Sequence, residues 1–365
     1  MEAVKEALDL CVGCKGCKRD CPTGVDMAKM KVEFLNHYKA KHGYTVKDKL
    51  VAYLPDYAPW ASRFAPLLNL RDKISGFSYL SEKLLGISAK RTLPQWQTQT
   101  FFNSAVNTVS REEVLQATRP VVLFVDTFNG YFESDNAFSA LKVLQASGYS
   151  VHVAIKKISD SKALCCGRTY LASGMVDQAK TKAAELVSAL LPFAAKGIAI
   201  VGLEPSCLLT LRDEALVMGL GEAAQTVSRH ALLFEEFLAR EAAAGRLNAL
   251  TAKLKPIARG ILVHGHCHQK AFGAVSPIMD VLRLIPGAQP ELIESSCCGM
   301  AGSFGYEVAH YDVSMQMAEL SLLPAVRKQS NAIVVADGTS CRHQIRDGAG
   351  REAVHVAVLL ARQLA

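Results

Sequence analysis

The sequence predicts an α+β protein: a small helical amino-terminal domain followed by a duplicated α/β unit with parallel, doubly wound sheets. Three observations predict it. From Pro120 onward, strand-like apolar runs alternate with helical stretches, which argues for parallel strands covered by helices on both faces. The order strand, loop, Cys-Cys-Gly, helix, strand, single cysteine then occurs a second time, the mark of an internal repeat. Ahead of both repeats, four cysteines crowd into CVGCKGCKRDCP, residues 11–22.

The expected domains are 1–43, helical and carrying the cysteine run; 44–119, a helical connector; 120–259, the first repeat; and 260–365, the second. In the first, Asp26 caps a helix to about His42, with Met27, Met30, Phe34 and Tyr38 on one face and Gly43 as its stop. Residues 44–119 read as irregular helix broken by Pro55, Pro59, Pro66 and Pro94. Trp60, Phe64, Leu67, Leu68 and Leu70 give that connector an apolar side that could wrap a neighbouring surface. In the first repeat, strands are expected at 121–125, 150–155 and 197–207, and helices at 134–148 and 170–191. In the second, strands are expected at 260–271, 291–299 and 331–341, and helices at 274–284 and 307–328. Superposing the halves sets Cys165-Cys166 on Cys297-Cys298, Cys207 on Cys341, and Asn129 opposite Cys267.

The composition, 50% hydrophobic and 21% charged over 365 residues, is that of a globular chain of two or three domains. No secretory leader and no run long enough for a membrane span are read in it. Eleven cysteines without a leader point to a reducing compartment, where such clusters serve as metal ligands or catalytic groups; a cytoplasmic location is expected. Most of the +7 net charge falls in residues 1–95. No nucleic-acid-binding motif accompanies it, so no nucleic-acid partner is expected. An acidic protein, or anionic lipid on the inner membrane face with the chain held peripherally, fits such a surface. A plain solvated basic face also fits.

C-x2-C-x2-C-x3-C-P is the run with which bacterial ferredoxins hold a [4Fe–4S] cluster. Short spacers aim several soft thiolates at one iron–sulfide cube, and Gly13 and Gly16 let the backbone approach. Zinc sites instead split their ligands into two separated pairs. Cys11, Cys14, Cys17 and Cys21 are therefore the cluster ligands expected here. In two-cluster ferredoxins the fourth cysteine serves the other cluster, so the last ligand is either Cys21 or a group from elsewhere.

In the repeats, ligands should gather at the carboxyl ends of the strands. The second repeat offers Cys267, Cys297, Cys298 and Cys341, with His264, His266, His268 and His343 nearby. The first offers Cys165, Cys166 and Cys207. These sets could hold a second iron–sulfur cluster or a metal, or the Cys297–Cys298 pair could exchange thiols with disulfides. A scaffold with a structural metal, docking through residues 44–95, is a further reading, as are buried small residues at a domain interface. There is no phosphate-binding loop and no dinucleotide fingerprint, so no place for FAD or NAD is read in this chain.

The stretches LDLCVGCKGCKRDCPTGVDMAKMK, CCGRTYLASG, GLEPSCLLTLRDE, HGHCHQKAF, SSCCGMAGSFGYE and ADGTSCRHQI together carry a resemblance. The chain is similar to the cysteine-rich CCG region of FAD-linked oxidases of the bacterial D-2-hydroxyglutarate and D-lactate dehydrogenase type, and to glycolate oxidase iron–sulfur subunits. It also resembles the cysteine-rich subunit of heterodisulfide reductase, which has more cysteines in each repeat. The resemblance implies an electron path. FAD, on a partner or an upstream domain, oxidises a 2-hydroxy acid, and the iron–sulfur segment passes electrons singly to a carrier protein or quinone.

Overall fold

The computed structural model describes residues 1–155 and 163–365. Among the described residues, eight short strands form two separate sheets. The first contains β1 (Pro120–Phe124), β2 (Ser150–Val153), β3 (Ala199–Gly202) and β4 (Ala231–Leu233) in the order β2-β1-β3-β4, all parallel. The second contains β5 (Ile261–Val263), β6 (Pro290–Leu292), β7 (Ile333–Val335) and β8 (Ala353–Val354) in the order β6-β5-β7-β8, again all parallel. The strands read as continuous apolar runs because helices cover both faces: Val121 to Phe124 and Ile261 to Val263 are all buried. The expected duplication of a mixed α/β unit is thus present. The closing strands β4 and β8 were not expected. They are three and two residues long, too short for a periodic signal.

The two halves share one core, packed in a pseudo-symmetric way. Helix Ser134–Ala146 of the first repeat lies on Val356–Gln363 of the second, and Phe234–Ala243 lies on Ser276–Leu282. Val121, Leu123 and Phe237 therefore sit in the same apolar cluster as Ile261, Ile278 and Leu359. Polar bonds cross the same seam. Arg342 pairs with Glu133 at 2.5 Å, and the Glu204 carboxylate accepts the Thr339 N–H at 2.9 Å.

Two of the long expected helices are interrupted. The stretch 170–191 divides into Arg168–Ala172 and Val176–Ala194, and 307–328 into Tyr311–Glu319 and Leu322–Lys328. The first break lies at Gly174, whose φ of +75° suits glycine and whose missing Cβ leaves room for Leu35. Helix Met27–His42 has the expected bounds, with Asp26 accepting the Lys29 N–H and Gly43 at its end. Its seated face is different, however. Ala28 is buried and Val32 joins a cluster with Tyr170 and Met175. Met30 is exposed, and the Phe34 and Tyr38 rings stack on each other. Residues 44–119 form five helices, a 3-10 turn, a short last helix and intervening extended chain. A capping box of Thr45 and Asp48 starts the first of these helices.

Strand order reverses between β1 and β3, and between β5 and β7. Such a switch point opens a crevice outside the carboxyl ends of the strands. The cysteines of the two repeats all follow those ends.

Candidate functional site

Strand register fixes which residues correspond. Leu123 pairs with Val153 and Val201, and Val263 with Leu292 and Val335. Leu123 therefore matches Val263. The helices that follow begin at Asp126 and His266 as caps, which agrees with this register. Cys267 is then matched by Thr127, and His264 by Phe124. The expectation that Asn129 stands opposite Cys267 is wrong by two positions. Asn129 matches Gln269, and both are buried framework amides. The Asn129 amide donates to Asp126 at 2.6 Å and accepts from Asn136 at 2.9 Å. Gln269 donates to Glu235 at 2.5 Å and accepts the His266 N–H at 2.8 Å. Aligning cysteine with the nearest polar residue misled because the loops hold several polar residues in a row.

In the second repeat the thiols converge. Ligand atoms of His264, Cys298 and Cys341 lie within 4.8 Å of one another, and all three residues are buried. Cys297 hydrogen-bonds to both Cys267 and Cys298, which joins the fourth thiol to the group. Cys297 and Cys341, with His264 nearby, outweigh burial and hold the Cys298 thiol well below its ordinary value. The bond from Cys297 likewise lowers Cys267 to about 6. Thiolate is the form that binds soft metals. Ser295 Oγ bonds His264 Nδ1 at 2.9 Å, while Nε2 is buried without a hydrogen-bond partner. Burial lowers the His264 pKa, leaving a neutral imidazole with a free nitrogen. An imidazole oriented through its other nitrogen is the usual state of a metal-ligating histidine.

The neighbouring histidines serve other ends. His266 caps its helix through the His268 N–H. His268 Nε2 lies 3.1 Å from the Gly13 carbonyl oxygen, and His343 bonds Tyr306 at 2.8 Å.

In the first repeat, Cys166 hydrogen-bonds to Cys165 and Cys207. These thiols and Asp126, Thr127 and Arg168 line a small pocket. Burial, with Glu204 nearby, raises Asp126 to about 7. Both Cys-Cys-Gly turns end on a left-handed glycine, Gly167 at φ +86° and Gly299 at φ +83°. A Cβ there would run into the backbone of Ala179 or Ser314. The third residue of the motif is thus dictated by backbone packing.

The amino-terminal run forms a loop and a short helix, Gly16–Asp20. Cys17 Sγ accepts the Met27 N–H at 3.4 Å, and Cys14 Sγ accepts from Gly16. Cys21 lies at the helix end, its sulfur bonded to Thr23 at 3.1 Å. Cys11 and Cys17 are near enough to act electrostatically on Cys14, and so is Cys267 of the second repeat. The run therefore sits beside the second repeat's thiols, and His268 bonded to Gly13 joins the two.

The groups that pin this loop are not evident in the sequence pattern. Lys15, between two of the cysteines, adopts a left-handed backbone (φ 59°) and is 1% exposed. Its ammonium meets Asp213 at 2.6 Å, Glu214 at 2.9 Å and Asp26 at 3.2 Å. Asp213 also receives Lys18 at 2.9 Å and Lys29 at 2.6 Å. A lone buried ammonium costs several kcal/mol, and three carboxylates offset that cost here. Burial alone would raise Asp213, but Lys15, Lys29 and Lys18 hold it well below the carboxylate range. Arg168, directly after the first Cys-Cys-Gly, extends the network to Glu214 at 2.6 Å and lies 3.4 Å from His268. The only signal is Asp213-Glu214 in LRDE and Lys15 in the run, 198 positions apart.

The fold and site define a protein built on a duplicated cysteine-rich domain. The family model for the CCG cysteine-rich domain matches residues 134–212 and 261–346, one stretch in each repeat. A subunit of the anaerobic glycerol-3-phosphate dehydrogenase of Escherichia coli (strain K12) is 28% identical over 303 residues, covering 83% of this chain and 73% of the relative. D-2-hydroxyglutarate dehydrogenase of the same strain is 27% identical over 355 residues. That match covers 94% of this chain but 33% of the larger enzyme. The probable glycolate oxidase iron-sulfur subunit of Bacillus subtilis (strain 168) is 22% identical over 400 residues, covering 98% and 83%. These matches bear out the resemblance to D-2-hydroxyglutarate dehydrogenases and glycolate oxidase iron–sulfur subunits.

Proposed function

We propose that this protein is an iron–sulfur electron-transfer module. It takes electrons from a flavoprotein that oxidises a 2-hydroxy acid and passes them to a carrier protein or quinone. The substrate pocket and the FAD belong to the partner or to a further domain. The observation that carries the reading is the packing of helix Gly16–Asp20 of the amino-terminal run against helix Cys267–Ala271 of the second repeat, with His268 bonded to Gly13. The relatives' descriptions as dehydrogenase subunits and an iron–sulfur subunit support it.

Cys11, Cys14 and Cys17 would hold a [4Fe–4S] cluster, with Cys21 as the fourth ligand. The N–H bonds to Cys14 and Cys17 fit that role, since they stabilise thiolate. Cys267, Cys297, Cys298, Cys341 and His264 would hold a second cluster or a metal. The unpartnered His264 Nε2 and the lowered Cys298 fit that group. When bound, thiolate-held iron–sulfur clusters supply one-electron transfer. The chain's own residues keep the site in place. Lys15 and Asp213 hold the loop on the first repeat, and Ser295 orients His264. Burial of Cys166, Cys207, Cys297, Cys298 and Cys341 keeps water and bulky disulfides away, which favours metal binding over disulfide exchange.

Anaerobic reconstitution of the full chain tests this. The expected product is brown, contains iron and sulfide in equal amounts, bleaches on reduction and is reduced by a flavin-bearing 2-hydroxy-acid dehydrogenase. A colourless protein, or one with stoichiometric zinc and no iron, would refute it.

A further inference from the structure

The first repeat holds a pair of thiols that the metal reading leaves unused. Cys166 and Cys207 occupy the places of Cys298 and Cys341, whose sulfurs lie within 4.8 Å of each other. Thr127 and Phe124 stand where Cys267 and His264 complete the second set, so the first copy is short of ligands. Its sulfurs nevertheless meet. Cys166 hydrogen-bonds to Cys207 on helix Pro205–Arg212, and both residues are buried. Cys165 is engaged differently. It is half-buried, and its Sγ accepts the Gly167 N–H at 3.3 Å. A bond between the adjacent Cys165 and Cys166 would distort the peptide that joins them, whereas Cys207 approaches from a separate element.

All three cysteines line the small pocket that Asp126, Thr127 and Arg168 also border. Its volume of about 10 Å³ is room for a single water-sized molecule. Bulk water and bulky disulfides do not fit there, but a small hydroperoxide does. The wall also suits attack by sulfur. The Arg168 N–H bonds Cys166, and the Arg168 guanidinium acts electrostatically on Cys166 and Cys207. Cationic and N–H groups beside a thiol favour thiolate, the reactive form.

We propose that Cys166 and Cys207 are a dithiol site for hydrogen peroxide, closing to a disulfide inside the first repeat. The Cys166 thiolate attacks one peroxide oxygen. The S–O bond forms, the O–O bond breaks, and the departing hydroxide takes the proton of Cys207. The Cys207 thiolate then attacks the sulfur of the sulfenic acid. The S–S bond forms, the S–O bond breaks, and the second hydroxide takes the proton that Cys166 gave up on ionising. The two sulfurs lose two electrons, and the peroxide becomes two waters. This goes beyond the electron-transfer reading and does not depend on it.

The test treats the reduced full chain anaerobically with hydrogen peroxide, blocks the remaining thiols with N-ethylmaleimide and maps tryptic peptides by mass spectrometry. Peptides 163–168 and 197–212 should appear joined, two hydrogens below their summed mass, and should separate in dithiothreitol. Cys165→Ser should keep the cross-link. Cys207→Ser should lose it and leave on Cys166 a sulfenic acid that dimedone traps, and Cys166→Ser should lose it with nothing trapped at Cys207. Cumene hydroperoxide, too bulky for the pocket, should give no cross-link. The wild-type map needs no variant, so it stands whatever a substitution does to folding. An unlinked pair in excess peroxide, a bond closed within peptide 163–168, or equal cross-linking by cumene hydroperoxide overturns the proposal. An iron-free chain that forms the cross-link upholds it while refuting the electron-transfer reading, and an iron-loaded chain that never forms it does the reverse.

Discussion

At the carboxyl end of β5 stand His264 and, three residues on, Cys267; at the same points beyond β1 stand Phe124 and Thr127. Everything that shapes the loops is otherwise held in common: a paired Cys-Cys, a left-handed glycine after it, and a cysteine in the helix after the third strand. One scaffold thus offers four thiols and an imidazole in one copy, but three thiols and a buried acid, Asp126, in the other. The positions of His264 and Cys267 hold Phe124 and Thr127 in the first copy, and Asp126 stands where His266 caps its helix in the second. The second copy also adjoins the amino-terminal run, whereas the first meets it through Arg168 and the carboxylates that bind Lys15. On the proposed reading, metal chemistry belongs to the second copy and an anchoring role to the first.

The largest expected effect comes from removing a central donor. Cys298→Ser should abolish the metal bound at the second repeat, as read by metal analysis of anaerobically purified protein, while Cys166→Ser should leave it unchanged. Equal losses in both variants would break the distinction.

The anchoring role predicts a large effect on stability. Asp213→Asn leaves three lysines facing a neutral amide, one of them buried. Lys15 keeps Glu214 and Asp26, so the cost should fall below the about 3–5 kcal/mol of a fully broken buried pair, measurable by denaturant unfolding and by proteolysis of the 11–22 loop. Acid should act in the same direction. Asp213 is held below the carboxylate range by its lysines. Glu133 is lowered to about 2, because Arg342 outweighs its burial. A depressed carboxylate adds stability that is complete above its unfolded pKa and is lost as pH falls toward the folded value. The loop and the seam between repeats should therefore loosen below pH about 4, and Asp213→Asn should flatten that dependence. An unchanged acid profile in the variant would remove the anchoring role.

A smaller effect is expected from Ser295→Ala, which frees His264 to rotate. Loss of such an orienting partner weakens metal binding by about 10–100-fold, without changing ligand number. Smallest is the gain from Thr127→Cys. It supplies the first repeat with a fourth thiol but leaves Phe124 in the histidine's place. Weak zinc or cadmium binding should appear by titration, and Phe124→His added to it should strengthen that binding.

Much of the scaffold was legible because strands buried on both faces make unbroken apolar runs, and because the duplication repeats its landmarks. That the fold brings the repeat cysteines together was legible for the same reason. His264 was noticed only as one of several nearby histidines, since sequence cannot say which of three alternating ones faces the thiols. Only strand register showed that Thr127, not Asn129, replaces Cys267. The Lys15–Asp213 anchor was illegible because its partners lie far apart in the chain. The connector's apolar residues were seen, but their outward direction was not. Pattern shows which residues share a face, not whether that face is covered.

The account stands or falls on counting iron in three variants of the anaerobically isolated full chain: Cys14→Ser, Cys298→Ser and Cys166→Ser. It predicts two separate populations by Mössbauer spectroscopy. One should be lost in the first variant, the other in the second, and neither in the third. Iron-free wild-type protein, or the same loss in all three variants, would contradict it.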